Sequence, residues 1–380
     1  MRGVRPFGFV DIDSVFEYSI YFIVKVYATL VTIYDEARFL SLIFALDGLC
    51  SPDSNWKGWT HRSYIASIAS GGNVNSYERD LTGGGYVMPF TYQVKIDFHR
   101  DWARLLKHNI ESQGYKVRQG TSDENISLQY FNLQRRLVIP VPRELLFSNN
   151  FACPVQLQAG LDSVVEKIAK GESIKSNLSK KIVNLEYNDD LLNDWGVHHL
   201  HLGTSLDNEG FVERTGPLLL ARFDNARAYL INVLPHGSWT KKEIITTVHE
   251  NWPESIAQFR MKIDRLDKEI TDEVRKSLRR LHVNTVLEMR DGVIYGPLGG
   301  GYTTSGLNAE VLRVSDFCFN QLSLYEIWIK ENISILRKEL TNLNANFGTV
   351  LIFSLEVIDN IAYALEIFSK VRFKLGPVLP

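Results

Sequence analysis

Two apolar runs, Pro217 to Phe223 and Ala228 to Leu234, stand on either side of Asp224-Asn225-Ala226-Arg227. Each run has the length of a strand, and the residues between them include Asp and Asn, whose side chains bond back to the local backbone and favour a tight reversal. The pattern predicts antiparallel pairing across 195–235, so a parallel, doubly wound sheet does not fit this part of the chain.

Helical spacing flanks the hairpin on both sides. Asp101 to Gln113 carries Trp102, Leu105, Leu106 and Ile110 on one face and stops at Gly114, and Leu161 to Lys170 reads as another helix. Thr240 with Glu243 forms the pattern of a capping box ahead of Ile244, Ile245 and Val248, and Trp252-Pro253 closes that helix. Tyr92 to Phe98 alternates like a half-buried strand, and Ile126 to Tyr130 is a second strand candidate. The fold expected is α+β: an antiparallel hairpin-based central domain, a helical C-terminal part and an aromatic-rich N-terminal element.

A chain of 380 residues has the length of two or three domains. Its segments divide as follows: 1–50, an aromatic-rich element; 51–87, a loop or linker crowded with Ser, Gly, Asn and Asp; 88–190, an α+β segment; 191–255, a histidine-rich α+β segment; and 256–380, a helical region with a small hairpin at 284–295 that turns at Asp291-Gly292. After Pro253 the apolar positions from Ile256 to Leu281 recur at threes and fours, predicting a long amphipathic helix or a close helical pair. Gly299 to Gly306 reads as a flexible loop; Asn308 to about Leu343 and Phe347 to Phe373 read as an antiparallel helical pair. The apolar stretches Ile333 to Leu343 and Val350 to Phe368 suit a homodimer or a protein partner.

Charge and cysteine usage narrow the function classes. Lys plus Arg total 42 against 44 Asp plus Glu, a formal charge of −2, so no whole-chain attraction to nucleic acid or anionic lipid follows and any basic surface is local. Cys50, Cys153 and Cys318 lie far apart without a C-x-x-C pair, which argues against a disulfide framework or a thiolate zinc site and for a reduced, cytoplasmic setting. The apolar runs Val15 to Tyr34 and Leu40 to Leu46 are broken by Glu17, Lys25, Asp35, Glu36 and Arg38, so no membrane span is expected, and a signal peptide fits poorly.

Chemistry concentrates in one segment. Five of the nine histidines, His198, His199, His201, His236 and His249, fall between positions 198 and 249. Alternation along Val197 to Leu202 places His199 and His201 on one face. One reading has them hold a metal with Asp194, Asp207 or His236 as third ligand in a hydrolase, although no H-E-x-x-H accompanies them. The run HHLHLG lacks the third alternate histidine of a histidine-triad hydrolase, because that position is Gly203. His236-Gly-Ser238 matches one H-x-[ST] element of a two-histidine phosphoesterase, whereas His201-Leu-Gly-Thr204 has one residue too many.

Read as a unit, the HHLHL strand, the strand Leu218 to Phe223 bearing Arg222, the strand Tyr229 to Leu234, and His236 ahead of a helix form an order that resembles the RelE/ParE-type toxins over residues 195–255. The resemblance implies a metal-independent endoribonuclease or phosphodiester-binding, toxin-like protein with RNA as partner and no cofactor. It gives Arg222 a phosphate-clamping role and His236 a general acid or base role, with His199 and His201 as further catalytic candidates. The alternative class is a non-enzymatic interaction or regulatory protein in which the histidines are incidental. Gly296 to Gly301 lacks the Gly-Lys-[Ser/Thr] of a phosphate-binding loop and reads as mobile surface, and Arg275, Lys276, Arg279 and Arg280 read as a solvated face laced with ion pairs.

Overall fold

The computed structural model describes residues 9–10, 93–238, 240–263, 266 and 270–380, so the aromatic-rich element over 1–50, apart from 9–10, and the linker over 51–87 lie outside the described residues. In chain order the elements are β1 (Phe9–Val10), β2 (Val94–Ile96), α1 (Phe98–Ser112), α2 (Asp123–Arg136), β3 (Glu144–Phe147), α3 (Gln158–Lys170), α4 (Asp190–Trp195), β4 (His198–Leu200), β5 (Pro217–Phe223) and β6 (Arg227–Pro235). There follow α5 (Glu243–Asn251), α6 (Asp272–Arg280), β7 (Leu287–Glu288), β8 (Ile294–Tyr295), α7 (Ala309–Glu331), α8 (Ile333–Asn342), β9 (Leu351–Ile358), β10 (Ile361–Glu366) and β11 (Arg372–Pro377). The α+β class is as expected.

The chain divides into two compact units: one of Met1–Lys95, Ile329–Phe353 and Ala364–Lys374, the other of Ile96–Trp328, Ser354–Tyr363 and Leu375–Pro380. The larger unit is built on a four-stranded sheet of order β3-β6-β5-β4. The expected hairpin is its centre: β5 and β6 pair antiparallel from Pro217↔Pro235 to Phe223↔Ala228, with a register shift between Leu220 and Ala221. Asp224 closes the turn, its Oδ1 accepting from the Ala226 and Arg227 N–H groups at 2.8 and 2.6 Å. β4 adds antiparallel on one side and β3 parallel on the other. Ile244, Ile245 and Val248 of α5 pack with Leu220, Tyr229, Ile231 and Trp195 into one buried cluster.

Several elements differ from the sequence reading. The stretch Ile126 to Tyr130 lies inside α2 rather than in a strand. Ser122 caps that helix by accepting from the Asn125 N–H at 3.3 Å, Asp123 and Glu124 complement the dipole in its first turn, and Ile126, Gln129, Leu133 and Arg136 are buried at helical spacing. The amphipathic stretch after Pro253 splits into a short 3₁₀ turn, Pro253–Phe259, and α6. The small hairpin at 284–295 is present as β7 and β8, turning through Gly292 at φ 83°.

The largest departure is at the C-terminus. The span Asn308 to about Leu343 is helical as expected but is divided into α7 and α8, whereas β9, β10 and β11 occupy the span read as a second helix over Phe347 to Phe373, so the C-terminal region is not wholly helical and its presumed helical partner face over Val350 to Phe368 does not exist. Asp359 and Asn360 take φ of 49° and 67°, the left-handed pair of a two-residue hairpin. Burial alternates from Leu351 through Ile352 and Phe353 to Ser354, the period of a strand. In the smaller unit Glu366, fully buried, accepts from the Phe368 and Ser369 N–H groups at 3.2 and 2.7 Å, closing the turn ahead of β11.

The glycine-rich segment read as mobile is a packed strut of the larger unit. Gly299 and Gly301 donate to the carbonyls of Asp194 and Asn193 at 2.9 Å each, and Asn308 Nδ2 donates to the Gly299 and Gly301 carbonyls at 2.8 and 3.1 Å. A Cβ on Gly299 would lie 2.0 Å from the Leu192 carbonyl oxygen, so only glycine permits this approach.

Candidate active site at the histidine strand

The histidines are placed by a short helix and the strand that leaves it. Asp189 caps α4 by accepting from the Leu191 and Leu192 N–H groups at 3.1 Å each, and Gly196 ends it in the left-handed conformation at φ 64°. The chain then enters β4, where His198, His199 and Leu200 pair with Ala221, Leu220 and Leu219. The strand end is held by Asn177: the His201 N–H donates to its carbonyl at 2.8 Å, and its Nδ2 donates to the His201 carbonyl at 2.9 Å.

Burial governs the protonation of all three imidazoles. It pushes His201 down to about 4, with the charges of Arg214, His199 and His236 acting in the same direction. His201 is 3% exposed, and neither ring nitrogen finds a hydrogen-bond partner of good geometry. His199 is also pushed down by burial; Asp189, whose Oδ2 is 3.6 Å from its Nδ1, opposes this, while His236 and Arg214 add to it. Burial drives His198 to about 3, and its ring meets Phe223 edge-on with centroids 5.5 Å apart. His236 is exposed in the turn after β6, its N–H donating to the Gly216 carbonyl at 3.1 Å. The charges of His236 and Arg214 thus act on both His199 and His201, a group drawn from β4 and the residue after it, the turn after β6 and the segment before β5.

Arg222 is not in that group. Its Nη1 donates to the Trp195 carbonyl at 3.0 Å and its guanidinium lies 6.0 Å from the Phe259 ring centroid, with burial lowering its pKa to about 10. The buried carbonyl takes the guanidinium in place of a phosphate. Arg214, exposed and electrostatically coupled to the histidines, was not singled out in the sequence, because the pattern drew attention to the arginine inside the strand.

Asp194 is spoken for as well. Arg279 donates to its Oδ2 from Nε at 2.9 Å and from Nη2 at 2.5 Å, and both side chains are buried. Burial pushes the Asp194 carboxyl up, and Arg279 opposes that shift. Among the described residues no group of three or more His, Cys, Asp or Glu is arranged to hold a metal ion. Arg275 and Arg279, read from sequence as solvated, are 1% and 4% exposed.

The helix beyond His236 begins later than its sequence suggests. α5 starts at Glu243 with Lys242 at its N-cap and no side-chain cap, so the Thr240–Glu243 capping box does not form. The Lys242 N–H donates to Asp272 Oδ1 at 3.0 Å, so a carboxylate of the chain itself occupies this helix end. Compared with known protein families, curated proteins and solved structures, the chain matches none.

Proposed function

We propose that the His199–His201–His236 group, with Arg214, binds and cleaves a phosphodiester, with RNA as substrate and without a metal. One observation carries the reading: His199 and His201 are held toward the neutral form by burial, and both lie within reach of the charges of His236 and of Arg214, an arginine that supplies a fixed positive charge. In-line cleavage of RNA requires a neutral base and a proton donor, both of which imidazoles can supply. In this reading His199, held neutral by burial and oriented by Asp189, takes the 2′-OH proton. The 2′ oxygen attacks phosphorus, the bond to the 5′ oxygen breaks, and His236 protonates the departing oxygen. Arg214 takes the phosphate-stabilising role first assigned to Arg222. The order of elements that resembles the RelE/ParE-type toxins supports the same reading.

The test is cleavage of diverse RNAs, with and without ribosomes, in the presence of EDTA. His199→Ala and His236→Ala are expected to reduce the rate by about 10²-fold each while leaving the circular dichroism spectrum unchanged. Wild-type protein that leaves every RNA intact would remove the nuclease reading.

A specific observation favours a second reading, a non-enzymatic interaction protein. The cavity that His198 and His199 line with Asp189 and Tyr187 measures about 20 Å³, room for a single water. Retained RNA or protein binding without cleavage is the outcome that this reading expects.

A further inference from the structure

The largest cavity described, about 530 Å³, runs along α2 from its N-terminal end and shares no residue with the histidine group. Ser122, Asn125 and Asn132 line it, a course along one helix of about 15 Å at about 1.5 Å per residue, so the site is elongated. Leu128, Leu185 and Leu307 give it an apolar wall, and the exposed side chains of Arg118 and Glu186 border it.

Asn132 gives the cavity an acceptor at its inner end. The residue is 3% exposed, and its amide donates both N–H groups to the carbonyls of Leu185 and Tyr187, at 3.2 and 3.0 Å, which turns Oδ1 away from them. Among the described residues nothing donates to this oxygen, and it is not one of the unpaired atoms sealed inside the fold, so its free surface opens on the cavity. A deeply set acceptor of this kind is completed by an incoming N–H or O–H. Charge selects between donors. Glu186 borders the cavity, and Asp123 and Glu124 occupy the first turn of α2 beside the lining Ser122 and Asn125. Among the described residues none of these three carboxylates forms an ion pair, with Arg118 or with any other cation. Against them stand Arg118 and the partial positive charge of the helix end, about half an elementary charge, so the balance is negative and favours a cation.

We propose that this cavity binds an aliphatic polyamine: one ammonium donates to Asn132 Oδ1, the methylenes lie along Leu128, Leu185 and Leu307, and the outer ammonium meets Glu186 and the carboxylates of the first turn of α2. A linear chain suits the elongated shape, and alternating charge and methylene suit a wall that is apolar between an acceptor and an acidic mouth. The inference does not depend on the phosphodiesterase reading, because the two sites share no residue and the bound amine need not react.

The experiment is calorimetric titration of the full chain with spermidine, putrescine and triethylene glycol, the last a linear chain with O–H donors and no charge. Spermidine is expected to bind as one molecule per chain, more tightly than the shorter putrescine and at least tenfold more tightly than triethylene glycol, and to weaken as salt is raised. Glu186→Gln is expected to weaken spermidine by about threefold or more, and Arg118→Ala, which removes the opposing charge, to tighten it. His236→Ala is expected to leave spermidine binding unchanged. Asn132→Leu is expected to weaken it tenfold or more while the fold, followed by circular dichroism, persists. Because that variant also gives up the bonds to the Leu185 and Tyr187 carbonyls, the two variants at exposed positions carry the test should it fail to fold. No binding of spermidine at millimolar concentration, equal affinity for triethylene glycol, several equivalent molecules per chain, or an Arg118→Ala variant that binds spermidine more weakly than wild type would overturn the assignment.

Discussion

Arg279 places two of its N–H groups on a single oxygen of Asp194, at 2.9 and 2.5 Å, while its guanidinium covers the ring of Trp195 at 4.6 Å from the centroid. The three residues tie α6 to α4, the helix from which the histidine strand departs. Because both charges are out of water, the pair costs desolvation that its geometry must recover.

Breaking that pair on one side strands a buried charge. Asp194→Leu and Arg279→Leu are each expected to destabilise the chain by about 3–5 kcal/mol in urea unfolding, and the double variant by clearly less than their sum. Additive losses would show that the two side chains act independently.

Close backbone approaches make a second test. A Cβ at Gly160 would stand 1.9 Å from the Leu202 carbonyl oxygen, and one at Gly299 2.0 Å from that of Leu192, whereas Gly216 has nothing within 4 Å and no positive φ. Gly160→Ala and Gly299→Ala are expected to lower the thermal midpoint by several degrees, about 2 kcal/mol or more, and Gly216→Ala to leave it within about 0.5 kcal/mol. A tolerated Gly299→Ala would mean that the 299–301 strut is not packed as described.

The sequence was legible where pattern and turn chemistry agreed. The hairpin around Asp224, the turn at Gly292 and the helix ending at Gly171 all combine a periodic run with a residue suited to the reversal. It misled where one signal was read without the other. In Val350 to Phe368 the apolar density suggested helix, but Asp359-Asn360 in the middle is a hairpin turn. Of the residues singled out for the site, Arg222 and Asp194 are claimed by the Trp195 carbonyl and by Arg279, partners that only the tertiary fold brings near. No local pattern announces that a strand arginine will turn toward a carbonyl 27 residues earlier.

The buried imidazoles predict acid sensitivity. Folded-state values of about 4 for His201 and about 3 for His198 lie below the ordinary histidine value, so between those values and about 6.5 the unfolded chain holds more protons. Their stability contribution is full above about pH 6.5 and is lost as pH falls toward 4. Unfolding free energy measured from pH 7 to pH 5 is expected to drop, with His201 supplying on the order of 1 kcal/mol. His201→Leu, which also removes two unpaired ring nitrogens, is expected to flatten that slope without loss of stability at pH 7. An unchanged slope in this variant would place the titrating groups elsewhere.

The two arginines separate fold from function. Arg222 is half-buried and bonded to the Trp195 carbonyl, so Arg222→Ala leaves that acceptor unpaired and is expected to cost about 1–3 kcal/mol of stability. Arg214 is exposed, and Arg214→Ala is expected to leave the unfolding midpoint unchanged. If Arg214 meets a phosphate, its loss weakens RNA binding for every sequence alike and lowers the slope of log affinity against log salt by about one. Filter binding of a single-stranded RNA from 50 to 200 mM salt at roughly half-decade steps of protein reads that slope directly. A slope unchanged in Arg214→Ala but reduced in a folded Arg222→Ala would return the phosphate role to Arg222, against the hydrogen bond that now holds it to Trp195.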